Sequence, residues 1–252
     1  MQVSGYAIDI LVTGFPGKSV CHGALGWSSI VLIRHGDRLA LIDVGAFGHR
    51  KLLLAALAER GLKPGDVTDV LLTHSHYDHA LNWVLFPKAR TVIAKVEMDW
   101  ALTVPWGETP VPELYVRELN LMPSLARAED GDEVFPGITM HLAPGHTPGC
   151  VAFKLAGPEH DVIFTGDAAK NRVELISRET DMTYDAAISR ASIAMIWDLW
   201  TARPGGIVVP GHDLPMALDD RGKPKYLGER EAAISAWYGD TLEQTTIINL
   251  VI

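Results

Sequence analysis

Two periods of hydrophobicity alternate along the chain. Residues 29–33 and 39–43 are short apolar runs, joined by the polar, glycine-containing Arg34-His35-Gly36-Asp37-Arg38, which predicts a hairpin. Between His49 and Arg60 the spacing becomes helical. Leu52, Leu53, Ala56 and Leu57 fall on one side, Gly61 supplies the stop and Pro64 lies just beyond. Residues 70–72 and 91–94 return to short strands, the first running directly into His74, and 107–112 is a proline-rich connection. The second half repeats this grammar, with strands at 138–142, 151–155 and 161–165. A long helix is predicted over 184–200, with Ile188, Ala191, Met195, Ile196 and Leu199 on one side. A strand at 207–209 and a last helix over 229–238 complete the pattern. The repetition predicts layered α/β architecture, two similar halves folded against each other as a single domain over 1–252.

Composition narrows the function. The 252 residues are 48% hydrophobic and 21% charged, a globular balance, and a chain of this length buries its core without covalent staples. Cys21 and Cys150 are the only cysteines and neither sits in a CxxC pair, which excludes a disulfide framework and fits a reducing compartment. With 22 basic and 31 acidic residues the formal charge is −9, and there is no Lys/Arg run. That argues against nucleic acid as a partner, because phosphate neutralisation supplies most of such affinity. No apolar run approaches the ~20 residues of a membrane span, and residues 1–5 lack the basic start of a signal peptide. A cytoplasmic protein without a membrane partner is the expectation. The apolar 247–252 reads as a docked terminal strand or a subunit contact, and a homodimer is expected from it.

The chemistry concentrates in Thr73-His74-Ser75-His76-Tyr77-Asp78-His79, where three histidines and an aspartate fall within six positions after an apolar strand. In extended backbone His74 and His76 point to the same face, and a following turn carries Asp78 and His79 to a neighbouring point. Imidazole and carboxylate suit zinc and other first-row divalent metals. A cluster of solvated loop histidines is the plain alternative, and four such ligands at this spacing argue against it. Further candidates stand at strand ends beside glycine: His146 in Pro144-Gly145-His146, Asp167 in Thr165-Gly166-Asp167 and His212 in Pro210-Gly211-His212. Each alone reads as a turn residue. Together, downstream of the first cluster, they read as one ligand set.

These residues resemble the metallo-β-lactamase superfamily. Its HxHxDH signature is present as His74, His76, Asp78 and His79, followed in the family's order by His146, Asp167 and His212. Asp43 matches the family's early strand-end aspartate, which stands behind the ligands. The resemblance spans roughly residues 25 to 215 and implies a four-layer αββα sandwich with the metal site at the edge of the two sheets. It also implies two divalent metal ions, zinc first, with manganese or iron as alternatives. One would be held by His74, His76 and His146, the other by Asp78, His79 and His212, and Asp167 would bridge them. By the same resemblance Asp78 passes a proton to the leaving group.

The family hosts many reactions, so the fold does not name the substrate. A complete ligand set favours a dinuclear hydrolase over a mononuclear iron sulfur dioxygenase or a non-catalytic metal-binding module. The stretches 61–67 and 147–149 look like the lactonase branch, which includes acyl-homoserine lactonases and a pyridoxolactone hydrolase. Those lactonases place a tyrosine three residues after the bridging aspartate, where this chain has Lys170. Lys170 is therefore a candidate for binding a substrate anion or stabilising an oxyanion, against its reading as a surface lysine. The expectation is a hydrolase that opens a small lactone or related cyclic ester, with a cyclic amide or imide, thioester or other ester as the alternative. The insertion over 97–125, with Trp100, Trp106, Tyr115 and Met122, is expected to wall the pocket, and Trp27, Phe47 and Trp83 are further lining candidates. Tyr77 points either to pocket or to core. His22 is a candidate for bordering the site, while His35, His49, His141 and His160 are expected at surface or turn positions.

Overall fold

The computed structural model describes residues 1–3, 5–21 and 23–251; His22 lies outside them. The first half contributes β1 (Gln2–Val3), β2 (Tyr6–Val12), the short ladder β3 (Lys18–Ser19) and β4 (Gly23–Ala24), then β5 (Ile30–His35) and β6 (Arg38–Ile42). After α1 (Arg50–Glu59) come β7 (Asp69–Leu71), α2 (Tyr77–Ala80), β8 (Arg90–Ala94), α3 (Lys95–Ala101), α4 (Glu113–Asn120) and β9 (Leu125–Ala128). The resulting sheet has the order β1-β2-β5-β6-β7-β8-β9. It is antiparallel as far as β6 and parallel beyond it.

The second sheet runs β10 (Glu133–Phe135), β11 (Ile138–Leu142), β12 (Val151–Leu155), β13 (Val162–Gly166), β14 (Ile207–Pro210), β15 (Met216–Leu218) and β16 (Pro224–Tyr226), side by side in sequence order. Its β13 and β14 are parallel, because the connection passes through α5 (Arg172–Ser177) and α6 (Ala186–Thr201).

Strand alternation builds the layers. In β6, Leu39 and Leu41 join the core shared with Leu53 and Leu57 of α1, Met98 of α3 and Val116 of α4. Ala40 and Ile42 of the same strand face the other way, into the core formed with Met140, Phe153 and Phe164 of the second sheet. Across that sheet Ile163 and Val208 turn outward onto Ile193, Ile196 and Trp200 of α6. Helices, sheet, sheet, helices is the αββα order that the family resemblance implies.

The buried face of α6 is Ser189, Ser192, Ile193, Ile196 and Trp200, while Ile188 is exposed. The serines turn inward to make hydrogen bonds: Ser192 Oγ donates to Pro144 O, in the loop ahead of His146, at 2.6 Å, and Ser189 Oγ pairs at 2.5 Å with Thr183 Oγ1 in the segment before α6. The helix expected over 229–238 is instead β17 (Ala233–Trp237), paired with β18 (Thr245–Asn249) in an antiparallel hairpin. Strand pairing decides the conformation: 233–237 lies in register with 245–249, from Ala233 opposite Asn249 to Trp237 opposite Thr245, and the loop 238–244 joins them. Of the apolar 247–252, residues 247–249 belong to β18 and Ile252 lies outside the described residues; Ile234, Trp237, Ile247 and Ile248 are exposed on the hairpin, so this strand is not docked on the sheets.

Phe153 is fully buried between the sheets. Phe153→Ala is expected to cost about 3–5 kcal/mol in urea unfolding, against less than about 0.5 kcal/mol for the exposed Leu121→Ala.

Candidate metal centre

β7 ends at Leu71 and the chain bends at Thr73 before reaching His76, the N-terminal cap of α2, whose own backbone is extended at φ −63° and ψ 150°. The single turn of α2 then brings Asp78 and His79 back toward His74. His146 follows β11, Asp167 follows β13 and His212 follows β14, so both sheets feed one edge. Backbone geometry at these strand ends demands glycine. Gly166 has φ 47°, and a Cβ there would overlap Thr73. A Cβ on Gly211 would strike Asp167 Oδ1 and Gly166 O, and Gly211 N instead donates to Gly166 O at 3.0 Å.

All seven predicted residues converge. Potential ligand atoms lie within 4.8 Å of one another in three groups: His74, His76 and His146; His74, His79 and Asp167; and Asp78, His79 and His212. Asp167 stands between them, with Oδ2 3.2 Å from His146 Nε2, and Oδ1 3.1 Å from His79 Nε2 and 3.2 Å from His212 Nε2. Asp78 Oδ2 is 3.3 Å from His212 Nε2 and 3.6 Å from His79 Nε2.

Asp43 orients two of the rings. Its Oδ2 accepts from His79 Nδ1 and from the Thr73 hydroxyl, each at 2.8 Å, and its Oδ1 accepts from Thr73 N at 2.8 Å. The hydroxyl in turn accepts from His74 Nδ1 at 3.1 Å. Both histidines are thereby assigned the tautomer that leaves Nε2 free for a ligand. Asp43 holds this position at φ 53°, a costly conformation for a residue other than glycine and one typical of functional sites.

The arrangement fits divalent cations. His74 Nε2 is buried with no hydrogen-bond partner. His146 Nε2 faces His76 Nδ1 at 3.0 Å, and His79 Nε2 faces His212 Nε2 at 3.2 Å. Burial holds the His76 pKa down at about 4 and that of His146 at about 3, and pushes His74 well below the usual range, so this trio is neutral. Burial also opposes charge on His79 and His212. There Asp167 and Asp78 override it, placing His212 at about 9 and His79 well above its ordinary value. Burial works to raise the pKa of Asp78, yet His79 and His212 bring it down to about 2. Imidazolium in that half occupies the place of a cation, and metal uptake there displaces protons.

Several neighbours went unread in the sequence. Asn82 is buried, and its Nδ2 donates to Val44 O at 3.0 Å and Ala46 O at 2.6 Å, fixing the turn after Asp43. Its place three residues after His79 puts it on the same helical turn, a signal that was available. His49, expected at a surface or turn position, does lie in the turn 47–49, but it is partly buried and close enough to Asp78 and His212 to feel their charge. Trp100 of the 97–125 insertion does wall the site, its ring 6.5 Å from that of His76 and 6.1 Å from that of Tyr184, which was not foreseen. Trp83 is instead buried in the core between the first sheet and its helices. Trp106 is exposed beneath Arg117, and Phe47 is exposed with its ring against Tyr115. Trp27 stacks on Phe15 at 4.7 Å. The Tyr77 side chain is exposed, and its N–H donates to Pro110 O. Lys170 is no free surface lysine: its Nζ lies 2.8 Å from Glu174 Oε1 and 3.4 Å from Thr180 Oγ1, with the side chain 14% exposed.

His76→Ala is expected to lower bound metal measured by elemental analysis, while His160→Ala leaves it unchanged. Asp43→Asn, which keeps the shape but disturbs the tautomers, is expected to weaken metal affinity by about 10–100-fold. Wild-type metal content in His76→Ala would overturn the ligand assignment.

Residues 25–212 match the metallo-beta-lactamase superfamily. The N-acyl homoserine lactonase AiiA of Bacillus thuringiensis subsp. kurstaki is 24% identical over 169 residues, covering 66% of this chain and 64% of the lactonase; the chain thus spans under two thirds of that relative's length. The metallo-beta-lactamase domain-containing protein 1 of Xenopus laevis is 24% identical over 87% of this chain and 85% of its own. Among solved structures, a putative metallo-beta-lactamase from Thermotoga maritima superposes with a TM-score of 0.67 at 25% identity, covering 84% of this chain and 99% of that one. AidC, described as a dizinc quorum-quenching lactonase, gives 0.67 at 19% identity over 90% and 92% of the two chains, a likeness of fold alone. With its αββα layers, its convergent histidines and aspartates and this match over most of its length, the chain belongs to the metallo-β-lactamase superfamily.

Proposed function

We propose that this chain is a dinuclear metal-dependent hydrolase that opens a small lactone or related cyclic ester. The observation that carries the reading is Asp167, whose two carboxylate oxygens reach into different histidine groups. His74, His76 and His146 would hold one cation, and Asp78, His79 and His212 the other, with zinc the first choice and manganese or iron the alternatives. The lactonase relatives support the substrate class. Bound there, divalent cations supply a hydroxide at neutral pH and polarise the carbonyl under attack.

The protein's own groups do the rest. Asp78 is ionised and its side chain retains 17% exposure, so it can take a proton and return it to the departing oxygen. Trp100 and Tyr184, packed edge to face beside His76, put aromatic side chains next to the site, where they would contact a compact ring. Lys170, paired with Glu174, contributes positive charge felt by His76 and His146, and that charge would favour a substrate carboxylate or an oxyanion beside them.

Proton release by metal-loaded protein across lactones, cyclic imides, thioesters, β-lactams and phosphodiesters, with His76→Ala as control, tests the reaction. Turnover confined to the lactones and lost in the mutant is the expected result; turnover confined to another bond class would replace it. Lys170→Ala is expected to raise KM with kcat largely retained, the pattern of lost uniform binding. Unchanged kinetics would restrict Lys170 to pairing with Glu174.

No helix among the described residues is long and apolar enough to cross a membrane, and a cytoplasmic location is part of this proposal. So is a homodimer, favoured by the exposed Ile234, Trp237, Ile247 and Ile248. Sedimentation velocity should show a dimer that Trp237→Glu weakens; a monomer throughout the concentration range would remove it.

A further inference from the structure

Glu97 lies in the first turn of α3, and its side chain is fully buried. It belongs to none of the groups of convergent ligand atoms. It leaves its own helix and bonds two separate loops. Oε1 accepts from the Ser75 N–H at 2.8 Å and the Ser75 hydroxyl at 2.6 Å. Oε2 accepts from the Thr147 hydroxyl at 2.7 Å and the Gly149 N–H at 3.1 Å. Ser75 lies between His74 and His76, and Thr147 directly follows His146. One carboxylate therefore ties together the segments that present all three members of the histidine-only group.

The fit is specific to a carboxylate. A buried anion without a cationic partner is costly unless its lone pairs are met, and here each oxygen receives one backbone N–H and one hydroxyl. The hydroxyls can rotate and become acceptors, but the backbone N–H groups cannot. A glutamine in either orientation would turn its NH2 against one of them. The loop bearing His146 also packs directly on α3, because a Cβ on Gly149 would overlap the backbone of Glu97. The two loops thus have little freedom to settle around a different side chain.

We propose that Glu97 is a positioning residue for the cation held by His74, His76 and His146: it sets the separation of the two loops, and through them the approach of the three imidazoles. The inference rests on the reading that this histidine group holds a cation.

The test is titration of the metal-stripped full chain with Co2+, followed by ligand-field absorption and calorimetry, for wild type, Glu97→Gln and Thr147→Val. Wild type should show two binding events. Glu97→Gln should weaken one of them by about 10–100-fold and alter its absorption bands, with the other event and the far-UV circular dichroism unchanged. Thr147→Val, which removes one hydroxyl and leaves both N–H bonds, should give a smaller loss in the same event. Wild-type affinity at both events in Glu97→Gln, or equal losses at both, would overturn the positioning role. Should Glu97→Gln fail to fold, Ser75→Ala combined with Thr147→Val takes its place, and wild-type Co2+ binding there overturns the role equally. Absence of Co2+ binding by wild type would overturn the cation site itself, and the role of Glu97 with it.

Discussion

Imidazoles and carboxylates crowded into an otherwise apolar edge must balance their charges there or leave it. His74, His79 and Asp167 are at most 5% exposed, yet the strands that deliver them are among the most apolar of the chain. Neutral imidazoles satisfy this requirement in one half, and imidazolium beside aspartate satisfies it in the other. Neither arrangement uses every lone pair, as the unpartnered Nε2 of His74 shows. An interior this polar is tolerated because its groups pair with each other and with the turns that carry them.

The supporting shell answers the same requirement from behind. Asp43 and Glu97 are both buried carboxylates met by a backbone N–H and a hydroxyl, Glu97 by two of each and Asp43 by one of each together with the His79 ring. Asp43 works on ring orientation, through the Nδ1 atoms of His79 and, by way of Thr73, of His74. Glu97 works on loop spacing. Their hydrogen bonds reach into both halves of the molecule, since Asp43 follows β6 of the first sheet while Glu97 holds Thr147 beside the second.

Much of this was legible in the chain itself. The succession of short apolar strands and helical stretches carried the layers, whereas the alternation by which 39–42 feeds two different cores is hidden in a run that is apolar throughout. The HxHxDH run and the glycine-flanked His146, Asp167 and His212 carried the convergence, since each sits where a strand must stop. Other features were hidden for physical reasons. Glu97 is a single charged residue in a short helix, and nothing local says that it is buried. Ser189 and Ser192 face inward for hydrogen bonds, which hydrophobic periodicity does not register. The segment 233–237 is rich enough in alanine to resemble a helix, and only its pairing with 245–249 decides otherwise.

The contact of Gly211 with Gly166 bears on what the site can measure. These glycines sit at the ends of adjacent parallel strands, bonded backbone to backbone, with Asp167 Oδ1 in the space a side chain on Gly211 would claim. The interval between Asp167 and His212 is therefore a property of the peptide ladder, which does not change rotamer. A site gauged in this way reads the reach of whatever enters it against a rigid ruler. Divergence in the surrounding loops can change which molecule is admitted while that gauge stays the same.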